Sequence, residues 1–194
     1  LFWSQIAIPG KPRVLVVDGC GNAEGWEAEF CDRLFDVLRR RGIRLASEAP
    51  LRPSRPQDLD EALRDQEAFN CVFLFCHGDG VQVPEELKLN SFWNWLSTRE
   101  GMTPKLLTVC TSESYDSETS QRILAPGDSF AKLAIVPQSP LSARAAGLFY
   151  IKFFFELDLH ANDSIQGKMV WFSHAKAKEL LKRRHLPGQL GVRC

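Results

Sequence analysis

Three short apolar runs, each stopped abruptly, constrain this chain more than any other feature. The densest is Cys71-Val72-Phe73-Leu74-Phe75-Cys76, which ends at His77-Gly78-Asp79-Gly80. Arg13-Val14-Leu15-Val16-Val17 ends at Asp18-Gly19, and Lys105-Leu106-Leu107-Thr108-Val109-Cys110 gives way to Thr111-Ser112. Apolar residues without alternation predict strands covered on both faces. Between them lie segments of helical period. Trp26 to Arg41 carries Phe30, Leu34, Phe35, Val37 and Leu38, and ends at Gly42. Asp58–Phe69 and Phe92–Leu96 read as further helices, Ile43–Ala46 and Phe130–Val136 as further strands. Ser142 to Leu157 predicts a strongly apolar helix and Ser173 to Arg184 a basic amphipathic one. Thr111–Asp128 reads as a long polar loop and Leu186–Cys194 as a loose end. Strand and helix in alternation predict an α/β fold, a mostly parallel sheet flanked by helices on both faces.

Composition narrows the function classes. The chain has 194 residues, one domain's worth, with 24 basic and 24 acidic side chains. That balance supplies no field for nucleic acid or an anionic membrane, and neither is expected as a partner. No apolar run reaches the roughly 18 residues of a membrane span, and Leu1–Pro12 lacks the pattern of a signal peptide. The chain does not begin with Met and reads as a domain excised from a longer protein. Its six cysteines form no CxxC pair, so neither a disulfide framework nor a zinc site is expected. Reduced thiols in the cytoplasm, with no metal and no cofactor, are the expectation.

Ligands of open α/β sheets bind beyond the carboxyl ends of the strands. The residues there are Asp18-Gly19-Cys20, His77-Gly78-Asp79 and Cys110-Thr111-Ser112. An imidazole and a thiol thus leave the same edge from successive strands. A thiol is a strong nucleophile once a base takes its proton, and His77 is placed to be that base for Cys110. Gly78, having no side chain, lets its N–H approach a substrate carbonyl and form an oxyanion hole with the Cys110 N–H. The plain alternatives are a capping histidine and a packing cysteine.

These motifs resemble those of the caspase-like cysteine peptidase superfamily. Cys71–Gly78 is similar to its apolar-strand-then-His-Gly motif, and Leu106–Ser112 to the strand-then-Cys motif that follows. Within the superfamily the closest similarity is to CHAT domains, carried by Leu133–Pro137, by Leu148-Phe149-Tyr150 and by Ala175–Leu181. Val109 stands where CHAT members often have Ala, and Gln138 where an aromatic Trp is usual. The resemblance implies a caspase-haemoglobinase-like fold and a thiol protease acting on a protein or peptide substrate through a thioester. In it His77 is general base and acid, Cys110 the nucleophile and Gly78 the oxyanion donor. Many members outside the caspases cut after Arg or Lys, so Asp18, with Asp79 and Asp116 in neighbouring loops, is a candidate for binding a basic P1 side chain. Asp18 capping its own turn is the alternative. The resemblance also implies a regulatory partner domain or protein, and a role such as a bacterial defence or cell-death effector. Two other readings stand beside the peptidase. One is a catalytically silent module of the same fold. The other is a doubly wound nucleotide-binding domain, for which Asp18-Gly19-Cys20-Gly21-Asn22 lacks GxGxxG spacing.

Overall fold

The computed structural model describes residues 7–20, 26–65, 68–79, 81–99, 105–112, 117–125, 130–139, 141–187 and 190–193. Its centre is a six-stranded sheet in the order β3 (Arg44–Leu45), β2 (Arg13–Asp18), β4 (Cys71–His77), β5 (Lys105–Ser112), β6 (Ala131–Pro137) and β8 (Leu190–Arg193). All neighbours are parallel except β8, which runs antiparallel to β6. A separate antiparallel pair joins β1 (Ala7–Pro9) to β7 (Ser164–Gln166). The chain is therefore α/β with a mostly parallel, mixed sheet.

Helices cover both faces. On one lie α1 (Trp26–Arg40), α5 (Ala143–His160) and α6 (Gly167–Arg183), packed on Val14, Val16, Phe73, Phe75 and Cys110. On the other lie α2 (Asp60–Arg64), α3 (Leu89–Ser97) and α4 (Ser117–Leu124), against Leu15, Val17, Val72, Leu74 and Val109. The period-two division of each strand between two apolar layers is what its unbroken apolar run predicts. In α1 the buried residues Phe30, Leu34 and Leu38 repeat every four positions on one face. Each such side chain contributes about 2 kcal/mol on burial. Ser142 caps α5, its Oγ accepting from Ala145 N at 3.2 Å. Below the helix, Tyr150 stands edge-on to Phe73 with ring centres 4.9 Å apart.

Four expectations need correction. The helix expected over 58–69 is a 3-10 turn, Pro56–Leu59, followed by the short α2, because Asp58 draws the start back by accepting from Ser54 N and Arg55 N. The loop expected over 111–128 is not one. β5 runs on through Ser112, and α4 puts Thr119, Ser120 and Ile123 into the interior. Residues 113–116 and 126–129 lie outside the described part. The basic helix begins at Gly167, since β7 feeds directly into it. Finally, the loose end contains β8, with Val192 paired to Ile135. Gly191 makes that edge possible, because a Cβ there would lie 2.6 Å from Leu124 and 2.8 Å from Gln138. Among the described residues no helix is long and apolar enough to cross a membrane.

Candidate functional site

The strand order places a crevice. β2 leads into α1 on one face of the sheet, whereas β4 leads to α3 on the other. Adjacent strands whose connections depart to opposite faces open a cleft beyond their carboxyl ends. Here that cleft lies above Asp18 and His77.

Its floor is set by a tight turn. Gly19 N donates to Phe75 O at 2.6 Å, folding the end of β2 over β4. Only glycine fits, since a Cβ would sit 2.7 Å from the Phe92 ring and 3.1 Å from the Phe75 carbonyl. The turn delivers the Cys20 carbonyl to His77, with Nε2 at 3.0 Å. A carbonyl only accepts, so the neutral imidazole carries its proton on Nε2 and its basic nitrogen is Nδ1. A backbone oxygen thereby fixes which ring nitrogen can take a proton.

The β4–β5 register fixes the relation of His77 to the thiol. Phe75 pairs with Cys110 and His77 with Ser112. Residues paired across parallel strands, and residues two apart along one, share a face. His77 and Cys110 therefore lie on the α1/α5 face, diagonal neighbours with Cα atoms about 8 Å apart. The strands bring the proposed pair together at one edge, but not at one depth. His77 is 6% exposed and Cys110 0%. Sequence reading put the thiol at the rim. It is one two-residue repeat below, because β5 continues past it. Burial pushes the Cys110 thiol well above its ordinary value, and the protonated form is held.

Cys20 and Cys31 sit in the same apolar layer, and burial raises both thiols. All five described cysteines are unpaired thiols. Tyr150 closes the layer from α5, its hydroxyl donating to Val109 O.

The acids behave differently from one another. Asp18 is buried, its Oδ1 3.4 Å from Cys20 N and its Oδ2 3.3 Å from Arg52 Nε. Arg52 also donates to Asp32 at 2.7 Å. Burial raises the Asp18 carboxyl, opposed by the Cys20 N–H and the Arg52 guanidinium. Asp79 has both oxygens engaged: Asn90 N, in the first turn of α3, donates to one and Thr119 Oγ1, on α4, to the other, each at 2.7 Å. It ties two helices to the loop after β4. Gly78 is buried behind His77, its carbonyl accepting from Val81 N. Asp116 lies outside the described residues. No group of three or more His, Cys, Asp or Glu side chains among the described residues is arranged to hold a metal.

Sequence reasoning missed three contributors: the Cys20 carbonyl, Gly19 as a close-approach residue, and Arg52. Only the Asp-Gly-Cys-Gly string hinted at a tight turn there. A backbone acceptor has no side-chain signature, and the partnership of Arg52 with Asp18 spans 34 residues. No protein-family model matches the chain, and no curated protein matches it.

Proposed function

We propose that this chain is a cysteine endopeptidase domain of the caspase-haemoglobinase type, CHAT-like, in a latent conformation. The observation that carries the reading is the paired register of β4 and β5 together with the Cys20–His77 hydrogen bond. They support it by putting the imidazole and the thiol on one face of one sheet edge, one two-residue repeat apart. On activation Cys110 reaches the rim and its proton passes to His77 Nδ1. The thiolate attacks the scissile carbonyl, and the Gly78 N–H stabilises the oxyanion. The C–N bond breaks, and the imidazolium gives its proton to the leaving amine. Water, deprotonated by His77, then hydrolyses the thioester and regenerates the thiol.

Asp18 is the acid for a basic P1 side chain, and Arg52 is the group such a side chain displaces. Asp79 acts at one remove, holding the loop that carries Gly78. The unpaired thiols fit a reducing, cytoplasmic setting. A regulatory partner that releases Cys110 fits the role of a defence or cell-death effector.

A second reading, a silent interaction module of the same fold, is favoured by the complete burial of Cys110. A nucleotide-binding domain is disfavoured. Phe92 fills the space over Gly19 that a phosphate would take, and Asp18 puts negative charge beside it. Cleavage of a fluorogenic peptide panel separates the first two. The fraction of the chain in which Cys110 has reached the rim is active, so the peptidase predicts a low but measurable rate, strongest with Arg or Lys at P1, that is lost in Cys110→Ala and in His77→Ala. Equal rates in wild type and Cys110→Ala overturn it.

A further inference from the structure

The charges of this neutral chain are unevenly spread. Helix α6 carries Lys168, Lys176, Lys178, Lys182 and Arg183 against one acid, Glu179. That acid is engaged within the helix, by Arg183 and, at 3.9 Å, by Lys176. Lys168, Lys178 and Lys182 are exposed and make no ion pair among the described residues. Net neutrality, which predicts no membrane partner, therefore conceals a positive face balanced by acids elsewhere.

The same face is apolar. Among the described residues, the large apolar side chains left exposed are Phe155 (39%) and Leu159 (60%) at the end of α5, and Trp171 (47%) and Phe172 (37%) near the start of α6. They are neighbours. His160 stands edge-on to Phe172 with ring centres 4.9 Å apart, and Phe149 meets His174 at 5.7 Å. The two helices thus run antiparallel, and their joined ends bring the four together. Lysines flank the rings: Lys152 Nζ lies 5.7 Å from the centre of Phe155, and Lys176 Nζ 5.4 Å from that of Phe172. The acids of α5 stand aside. Glu156 is buried and tied to Lys152 and His160. Asp158 falls on the stripe of Gly147 and Ile151, which faces α1.

We propose that the α5–α6 face docks on an anionic lipid bilayer, lying on its surface without spanning it. Phe155, Leu159, Trp171 and Phe172 enter the boundary between headgroups and acyl chains. The lysines stay among the headgroups, their stems covering apolar surface. A bilayer fits this face better than an acidic protein does. The apolar side chains protrude from two convex helices, and lipid moulds itself around protrusions, whereas a protein partner must supply a pocket for each. The inference is independent of the peptidase reading.

Co-sedimentation with sucrose-loaded vesicles in about 0.1 M salt tests it. The vesicles are phosphatidylcholine alone, or phosphatidylcholine with about one quarter phosphatidylserine. Wild type should bind the mixed vesicles and not the neutral ones, and leave them as salt rises to about 0.5 M. Each lysine near the surface is worth about fivefold, so Lys168→Glu, Lys178→Glu and Lys182→Glu combined should weaken binding at least about a hundredfold. Trp171→Ser with Phe172→Ser leaves the charge alone and should weaken it at least about tenfold. Arg55→Glu, Arg64→Glu and Arg122→Glu combined make the same charge change beside α2 and α4, on the opposite layer, and should leave binding within about threefold of wild type. No binding to either vesicle, equal binding to both, a lysine variant that binds as wild type does, or an opposite-layer variant weakened as much would each overturn the proposal. Binding to polyglutamate as tight as to the mixed vesicles, and unchanged by Trp171→Ser with Phe172→Ser, would mark an acidic protein as the partner and overturn it too.

Discussion

The two ends of the central strands bury polar groups in opposite ways. At the amino end, Asn70 is fully engaged: Oδ1 accepts from Arg13 N at 2.8 Å, and Nδ2 donates to Pro9 O and Lys11 O at 2.8 and 2.9 Å. Lys105, fully buried beside it, donates to Phe69 O at 2.7 Å with its ammonium 4.4 Å from the centre of the Phe69 ring. At the carboxyl end, the contacts that hold the Asp18 charge among the described residues are 3.3 and 3.4 Å long, and Cys110 is raised by burial. Satisfied polar groups specify a structure, whereas incompletely stabilised ones can change state. The amino end is locked by Asn70 and keeps one titrating group, Lys105, whereas the carboxyl end gathers the residues of the candidate site.

That contrast can be broken residue by residue. The largest effect is expected from Asn70→Ala, which strands one buried N–H and two carbonyls and should cost about 4 kcal/mol in denaturant unfolding. It should leave thiol reactivity at the other end unchanged in the folded fraction. Lys105→Met comes next. Lys105 titrates at about 8 in the fold, lowered by burial and then by Arg13, against 10.5 as its ordinary value. Between those values the unfolded chain binds more protons, so this lysine makes stability rise with pH across that window. Below pH 8 the fold bears the whole cost, about 3 kcal/mol at 1.4 kcal/mol per pH unit. Replacing it should stabilise the protein at pH 7 and remove that rise, as read from unfolding curves at pH 7 and pH 10.

Gly19→Ala should cost about 2 kcal/mol by driving a methyl into Phe92. It should also shift the Cys20 carbonyl from His77, which the chemical shift of the histidine Nε2 proton would report. Arg52→Ala should have the smallest effect, about 1 kcal/mol, because the Arg52 side chain is 44% exposed. Asp18 needs its partner only when ionised, so the loss should shrink as the pH falls through the raised Asp18 range.

The same contrast explains what the sequence disclosed. Strands β2, β4 and β5 were legible because unbroken apolar runs admit few other structures. The depth of Cys110 was not, since it depends on where β5 stops, and Thr111-Ser112 look like loop residues until packing buries Thr111. Helix α4 hid behind its serines and threonines, whose propensity yields to the burial of Ile123. Strand β8 is short and begins at a glycine-flanked leucine, so only its partner β6 defines it. His77 and Cys110 could be named as one edge of one sheet, but register, not composition, decides whether they meet.

The most direct test compares two equally buried thiols at the two ends of the sheet. Because the proposed activation carries Cys110, and not Cys71, to the rim beside His77, alkylation of the native protein by iodoacetamide, with rates resolved by peptide mapping, is predicted to modify Cys110 faster through that opening, with the advantage lost in His77→Ala. A Cys110 no faster than Cys71, or equally fast without the imidazole, would contradict the account.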